Sequence, residues 1–262
     1  MRLIGNAYQQ NMVYKTNVVM QMVGQWIGLF IQISVWFALY GGKELSASNM
    51  GSVSIDDMIY YVILSVGISM IVNNQVIGQM DEKIKSGMIA MDLIKPMNFH
   101  ANILCHTLGN NLFRITFQAL PLCIIGFLIF DMPLPSGIHS VLFIISLINA
   151  FLLNFILAYM LGMIGFWYLS VWHLSRLLED VVRLFGGVWI PLWFFPKAMV
   201  TISEYLPFQY IYFVPINIYL NKLSMDRSFE MLLNQAVWIV LLSGFSYAIW
   251  RKGIQKLVIQ GG

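Results

Sequence analysis

The chain has 262 residues, of which 59% are hydrophobic and only 10% charged, against about 25% charged in an ordinary soluble domain. That supply of charge is too small to cover a soluble surface of this size, and the apolar residues run in long blocks, so most of the chain belongs in lipid or in protein packed within lipid. A formal charge of +3 is small, and the placement of the charges carries more information than their sum.

The first 20 residues are amphipathic, with Asn, Gln and Lys interrupting every apolar stretch. They do not read as a cleavable signal peptide, and residues 1–17 are expected to form a helix lying at the membrane interface. Six spans follow, over 18–40, 56–78, 102–130, 140–168, 180–200 and 231–250. Backbone groups in lipid must be satisfied within the segment, so these blocks are helices, and no ten-residue alternation suggests a barrel. The third and fourth are longer than the roughly 20 residues a bilayer needs, so they tilt or protrude. The fold class is therefore an all-α membrane protein with six transmembrane helices, in a single transmembrane domain over 1–262.

Orientation follows from Lys and Arg. With the amino terminus inside, Arg2, Lys15, Lys83, Lys85, Lys95, Arg114, Arg176, Arg183, Arg251, Lys252 and Lys256 fall on the cytoplasmic side, and Lys43, Lys197, Lys222 and Arg227 outside. Eleven against four sets both termini in the cytoplasm of a multi-pass cell (plasma or inner) membrane protein.

Two segments stand apart from the spans. After the second span, within 79–98, DEKIKSGMIAMDLIKP combines Asp81 and Glu82 at a helix start, three lysines, and apolar Ile84, Met88, Met91 and Leu93. This describes a short amphipathic helix on the cytoplasmic face, ended by Pro96, which disfavours helix at Lys95. Headgroup anchoring and docking to a partner are equally compatible with it. Later, the stretch 191–221 is too apolar for a loop yet contains Pro191, Pro196, Pro207 and Pro215. Proline breaks a helix interior, so short helical pieces dipping back into the outer leaflet are expected.

Residues for chemistry are sparse. No G-x-x-x-x-G-K-[ST] string is present, the four histidines are scattered, and no Ser nucleophile elbow occurs. Cys105 and Cys123 lie 18 residues apart, roughly 27 Å along a helix, too far for a disulfide. Asn73, Asn74 and Gln75 read as interhelical glue or as lining of a pathway. Arg114 reads as snorkelling to the inner interface or meeting an acid. Arg176, Glu179, Asp180 and Arg183 form a cytoplasmic cluster with two i,i+4 pairs.

The string Ile84-x-x-Gly87 followed by Leu93-Ile94-x-Pro96 resembles the cytoplasmic loop of permease subunits of ATP-binding-cassette transporters of the type-2 exporter class. The later run Gly187, Pro191-Leu192, Pro196, Leu206-Pro207-Phe208 and Pro215 is similar to the same family, and the likeness extends over most of the chain in order and topology. The resemblance implies a permease without ATPase activity, with ATP and Mg held by partner ATPase subunits, and no cofactor in this chain. It implies a second permease copy, related or identical, alongside. The loop becomes a coupling helix in which Glu82, Lys83, Lys85, Gly87, Asp92 and Pro96 touch the ATPase. Arg176, Glu179, Asp180 and Arg183 become a second ATPase contact, and Pro191, Pro196, Pro207, Phe208 and Pro215 an exit gate. The implied activity is export of a small hydrophobic or amphipathic substrate, such as a drug, lipid or peptide, with membrane lipid as surroundings and no nucleic-acid partner. A scaffold subunit of an enzyme complex and a stand-alone secondary transporter are the alternatives. The second is disfavoured because the twelve acidic residues map to loops or span ends.

Overall fold

The structure, a computed structural model, describes residues 5, 8, 9, 15–41, 45–47, 51–94, 98–135, 137–168 and 170–256. The interfacial helix expected over 1–17 thus falls almost wholly outside the described residues, as does Pro96. Helix α1 (Lys15–Tyr40) leads into a hairpin of two three-residue antiparallel strands, Leu45–Ala47 and Gly51–Val53. Helices α2 (Ile55–Val72), α3 (Val76–Lys85) and α4 (Met88–Ile94) follow. Helix α5 (Phe99–Arg114) passes through a π-helical turn, Ile115–Ala119, into α6 (Leu120–Phe130). Helix α7 (Ile138–Met163) ends in a 3-10 turn, and α8 (His173–Phe185) follows it. The short helices α9 (Lys197–Glu204) and α10 (Phe213–Tyr219) precede the long α11 (Met225–Ile254).

Five of these stretches, Val19–Tyr40, Ile55–Lys85, Phe99–Phe130, Ile138–Phe166 and Met225–Ile254, are long and apolar enough to cross a membrane. The chain is a helical, multi-pass membrane protein. The expected span over 180–200 is different: α8 stops at Phe185, and residues 186–190 are turns and bends. Gly187 has φ +78° and a Cβ there would sit 2.9 Å from the Tyr61 hydroxyl, so only glycine fits and the helix ends.

The ends of the bundle are charged differently. Its upper end carries Asp56 and Asp57 in the first turn of α2, capped by Ser54, and Asp226 in the first turn of α11, capped by Ser224. Its lower end carries Lys83, Lys85, Arg251 and Lys252 in the last turns of α3 and α11. Both arrangements favour the helix dipole. The α2–α3 rod is the centre of the bundle: 61% of its most apolar window is buried, against 17% for α1 and 11% for α11. Near the lower end α3 and α7 touch at Gly162, where a Cβ would lie 2.8 Å from that of Met80. The absent side chain lets Val76, Ile77 and Met80 seat against Phe155, Tyr159 and Met163.

Candidate functional site

The 81–96 segment is two helices and not one. Helix α3 runs on to Lys85, Ser86 and Gly87 make a turn, and α4 begins at Met88. Gly87 adopts φ +72°, a conformation a side chain would strain. The turn separates residues that point inward from residues that face out. Asp81 is buried, and its carboxylate accepts from the Val171 backbone N–H at 3.1 Å and from Lys85 Nζ at 2.6 Å. Asp92 is also buried and pairs with Lys83 across the turn. The Lys83–Asp92 pair fastens α4 to α3, and the Val171–Asp81 hydrogen bond fastens α3 to a residue that leads into α8. Glu82, Lys85 and Gly87 are exposed, and so are Met88, Met91, Leu93 and Ile94, the last 80% exposed. The family resemblance places Asp92 among the residues that touch an ATPase. Its side chain instead closes a cavity of about 270 Å³ lined by Gln79, Glu82, Lys83, Asn102 and His106.

Above this end the central rod is broken. Asn73 adopts an extended conformation, and α3 restarts at Val76, whose N–H is accepted by Asn74 Oδ1 at 3.2 Å. A break frees carbonyls that a continuous helix would satisfy, and each buried one left unpaired costs about 1–3 kcal/mol. Side chains of other helices meet them. Asn111 donates to the Ile71 carbonyl, Asn154 Nδ2 to that of Val72 at 2.8 Å, and Arg114 Nη1 to that of Asn73 at 2.8 Å. Arg114 therefore caps a backbone oxygen, and Glu179 lies within electrostatic range of it. Counting 1.5 Å per residue, Asn73 lies about 27 Å from the upper end of α2 and Asn154 about 24 Å from that of α7. This is the same level in two helices, within the roughly 30 Å of a bilayer core.

Glu179 and Arg183 of α8 face this level. They pair with each other at 3.7 Å and, with Asn73, Asn74, Asn154 and Tyr212, line a crevice of about 20 Å³. Arg176 is exposed and Asp180 half-buried. Their cluster is thus split between the crevice and the outer surface of α8.

At the upper end the proline-rich stretch forms the expected short pieces: a 3-10 turn at Leu192–Phe194, α9, a second 3-10 turn at Pro207–Tyr210, and α10. Pro191 and Pro196 immediately precede helical turns, and Pro207 opens one, positions where a missing N–H costs nothing. Pro215 sits in the first turn of α10 and is buried, while Phe208 is half-buried beside Phe185. The segment folds down between the long helices. Gln235 Nε2 donates to the Tyr210 carbonyl at 2.8 Å and to Ser146 Oγ at 2.9 Å. Gln235 is ten residues into α11, about 15 Å below its upper end. Trp193 Nε1 bonds Asn217 Oδ1 at 3.1 Å, the Tyr61 hydroxyl donates to the Gly187 carbonyl at 2.9 Å, and Lys222 pairs with Asp57 at 2.7 Å. No sequence signal singled out Gln235 or Asn111. Each belongs to an adjacent amide pair inside an apolar span, Asn110-Asn111 and Asn234-Gln235, and that pairing is what marks them.

The chain is thus a multi-pass helical bundle, with a braced helix pair at one end and a proline-segmented stretch folded into the other. A family model described as ABC-2 family transporter protein matches residues 27–261, and the chain belongs to that family. It is accordingly a permease component of an ABC transporter, a class whose ATPase is a separate cytoplasmic subunit. A comparison with curated proteins finds no match.

Proposed function

We propose that the chain is the membrane half of an ATP-driven exporter of a small hydrophobic or amphipathic molecule, and that α4 is the element its ATPase grips. The observation that carries this reading is the pairing of exposure with bracing. Helix α4 presents Met88, Met91, Leu93 and Ile94 outward, while the Lys83–Asp92 pair fixes it to α3 from behind. An apolar tip with Glu82 and Lys85 at its rim suits a groove on a soluble subunit. The brace lets a push on α4 move α3 as a lever.

The lever has a joint. At Asn73–Gln75 no backbone ladder continues from α2 to α3, so rotation of α3 exchanges side-chain caps instead of breaking a helix. Closure of an ATPase dimer would swing α3 about this joint, shift α8 through the Asp81–Val171 bond, and act on the proline-segmented gate that follows α8. Pro191, Pro196, Pro207, Phe208 and Pro215 belong to that gate. ATP and Mg act in the partner. Of the α8 charges, Arg176 is the most open to a soluble subunit, whereas Glu179 and Arg183 line the crevice beside the joint. A second permease, identical or related, completes the pathway, and the thinly covered α1 offers it a face. The Lys and Arg bias supports a plasma or inner membrane location with the lower end and both termini in the cytoplasm.

Affinity purification of the chain from its native membrane in mild detergent, with mass spectrometry of what accompanies it, tests this reading. Recovery of an ABC ATPase, with or without a second permease, is the expected result. Absence of any nucleotide-binding protein after crosslinking would remove the reading.

A further inference from the structure

The crevice where α8 faces the broken rod gathers polar side chains from three elements. Asn73 comes from the break, Asn154 from α7, and Ser175, Glu179 and Arg183 from α8. Several of their polar groups are unspent. Asn154 is 8% exposed; its Nδ2 serves the Val72 carbonyl, while its Oδ1 has no hydrogen-bond partner among the described residues. The Asn73 side-chain amide and the Ser175 hydroxyl have none there either. Glu179 and Arg183 meet only at 3.7 Å, longer than a hydrogen bond. Among the described residues, no direct side-chain hydrogen bond joins α8 to the rod or to α7 at this level, although polar groups of all three line one gap.

Size and charge decide what fits the gap. Its room of about 20 Å³ exceeds the roughly 10–15 Å³ that a single water needs. It is far below the roughly 300 Å³ at which small-molecule sites begin, so a lipid chain or a drug-sized molecule is excluded. Arg183 disfavours a cation in the gap and Glu179 disfavours an anion. A neutral ligand that both donates and accepts matches the groups left over. An apolar cavity stays dry, whereas a polar one that offers about two to four partners holds water. The Glu179 and Arg183 side chains are 43% and 36% exposed, so solvent reaches the gap past them.

We propose that this crevice binds one resident water, shared by Asn154 Oδ1, the Asn73 amide and the Ser175 hydroxyl, which ties α8 to the break in the rod and to α7. The site needs only the folded chain and stands apart from any grip of an ATPase on α4.

The test is hydroxyl-radical footprinting of the purified chain in mild detergent, with radicals made by an X-ray pulse and oxidised residues mapped by peptide mass spectrometry. The pulse makes radicals from water in place, so a bound water marks a side chain that bulk solvent does not reach. Tyr212 and Tyr61 are a matched pair, 1% and 0% exposed. Tyr212 lines the crevice, whereas Tyr61 is engaged at the Gly187 carbonyl. Tyr212 is expected to be oxidised well above Tyr61. Ser175→Leu, which brings an apolar side chain into the crevice from a half-buried position of α8, is expected to lower Tyr212 to the Tyr61 level and leave exposed Tyr168 unchanged. Oxidation of Tyr212 no greater than that of Tyr61 overturns the site. Oxidation of Tyr212 that persists in a Ser175→Leu chain melting with the parent overturns it too, because the label then comes from opening of the fold. The comparison of the two tyrosines is made within the parent chain, so it decides the matter even where Ser175→Leu does not fold.

Discussion

Asp81 offers a sharp test of how α3 is held. Its buried carboxylate accepts the Val171 backbone N–H at 3.1 Å and Lys85 Nζ at 2.6 Å. Asp81→Ala leaves that N–H enclosed without an acceptor, at about 2 kcal/mol. Lys85 is 42% exposed, so loss of its ion pair adds less than about 1 kcal/mol. Asp81→Asn keeps an acceptor oxygen for Val171 and forfeits only the ion pair. The two variants should therefore separate in thermal unfolding followed by tryptophan fluorescence in mild detergent. Asp81→Ala is expected to melt about 4–8 °C below the parent chain, and Asp81→Asn within about 2 °C of it. Equal losses in both would show that the charge and not the backbone bond matters. No loss in Asp81→Ala would show that the contact does not hold α3 at all.

The other contacts carry shorter predictions. Gly162→Ala drives a Cβ to 2.8 Å from Met80 Cβ and should destabilise by about 1–3 kcal/mol through overpacking, read as a lower midpoint in the same assay. Gly162→Leu should fail to yield a monodisperse protein by size exclusion. Asn154→Ala uncovers the Val72 carbonyl at the joint and should cost about 1–3 kcal/mol, with Asn154→Asp no substitute because a carboxylate cannot donate. Gln235→Leu strips the Tyr210 carbonyl and Ser146 of their donor. It should loosen the gate, seen as faster maleimide labelling of a cysteine placed at half-buried Phe208 in a background lacking Cys105 and Cys123.

Much of the architecture is written in apolar block length. The expected spans 18–40, 102–130 and 140–168 correspond to Val19–Tyr40, Phe99–Phe130 and Ile138–Phe166 within a few residues. The failures have physical causes. Over 180–200 the residues are apolar enough for a span, but Gly186–Gly187 followed by Pro191 stops the helix, and tertiary contacts to Tyr61 hold the turn. The break at Asn73–Gln75 hid inside an otherwise unbroken apolar pattern. Three successive amides were its signal, and its caps come from Asn111, Arg114 and Asn154, which no local spacing could connect. The π-helical turn at Ile115–Ala119 was not expected; Pro121 accounts for it, because its ring displaces the carbonyl four residues back and a wide turn relieves the clash. Around Gly87 the residue types identified a tip helix, whereas the inward turn of Asp92 depended on the three-dimensional position of Lys83.

The central claim, that α4 is gripped by an ATPase, is most directly measured by a crosslink. With Cys105 and Cys123 replaced by alanine and Met91 by cysteine, the chain is expressed in its native membrane and treated with a short bismaleimide crosslinker. The account predicts a crosslinked product containing an ABC ATPase, lost when the cysteine is moved to Leu233 at the opposite end of the bundle. A Met91→Cys chain that is folded and labelled by maleimide, yet forms no product with any nucleotide-binding protein, would contradict it.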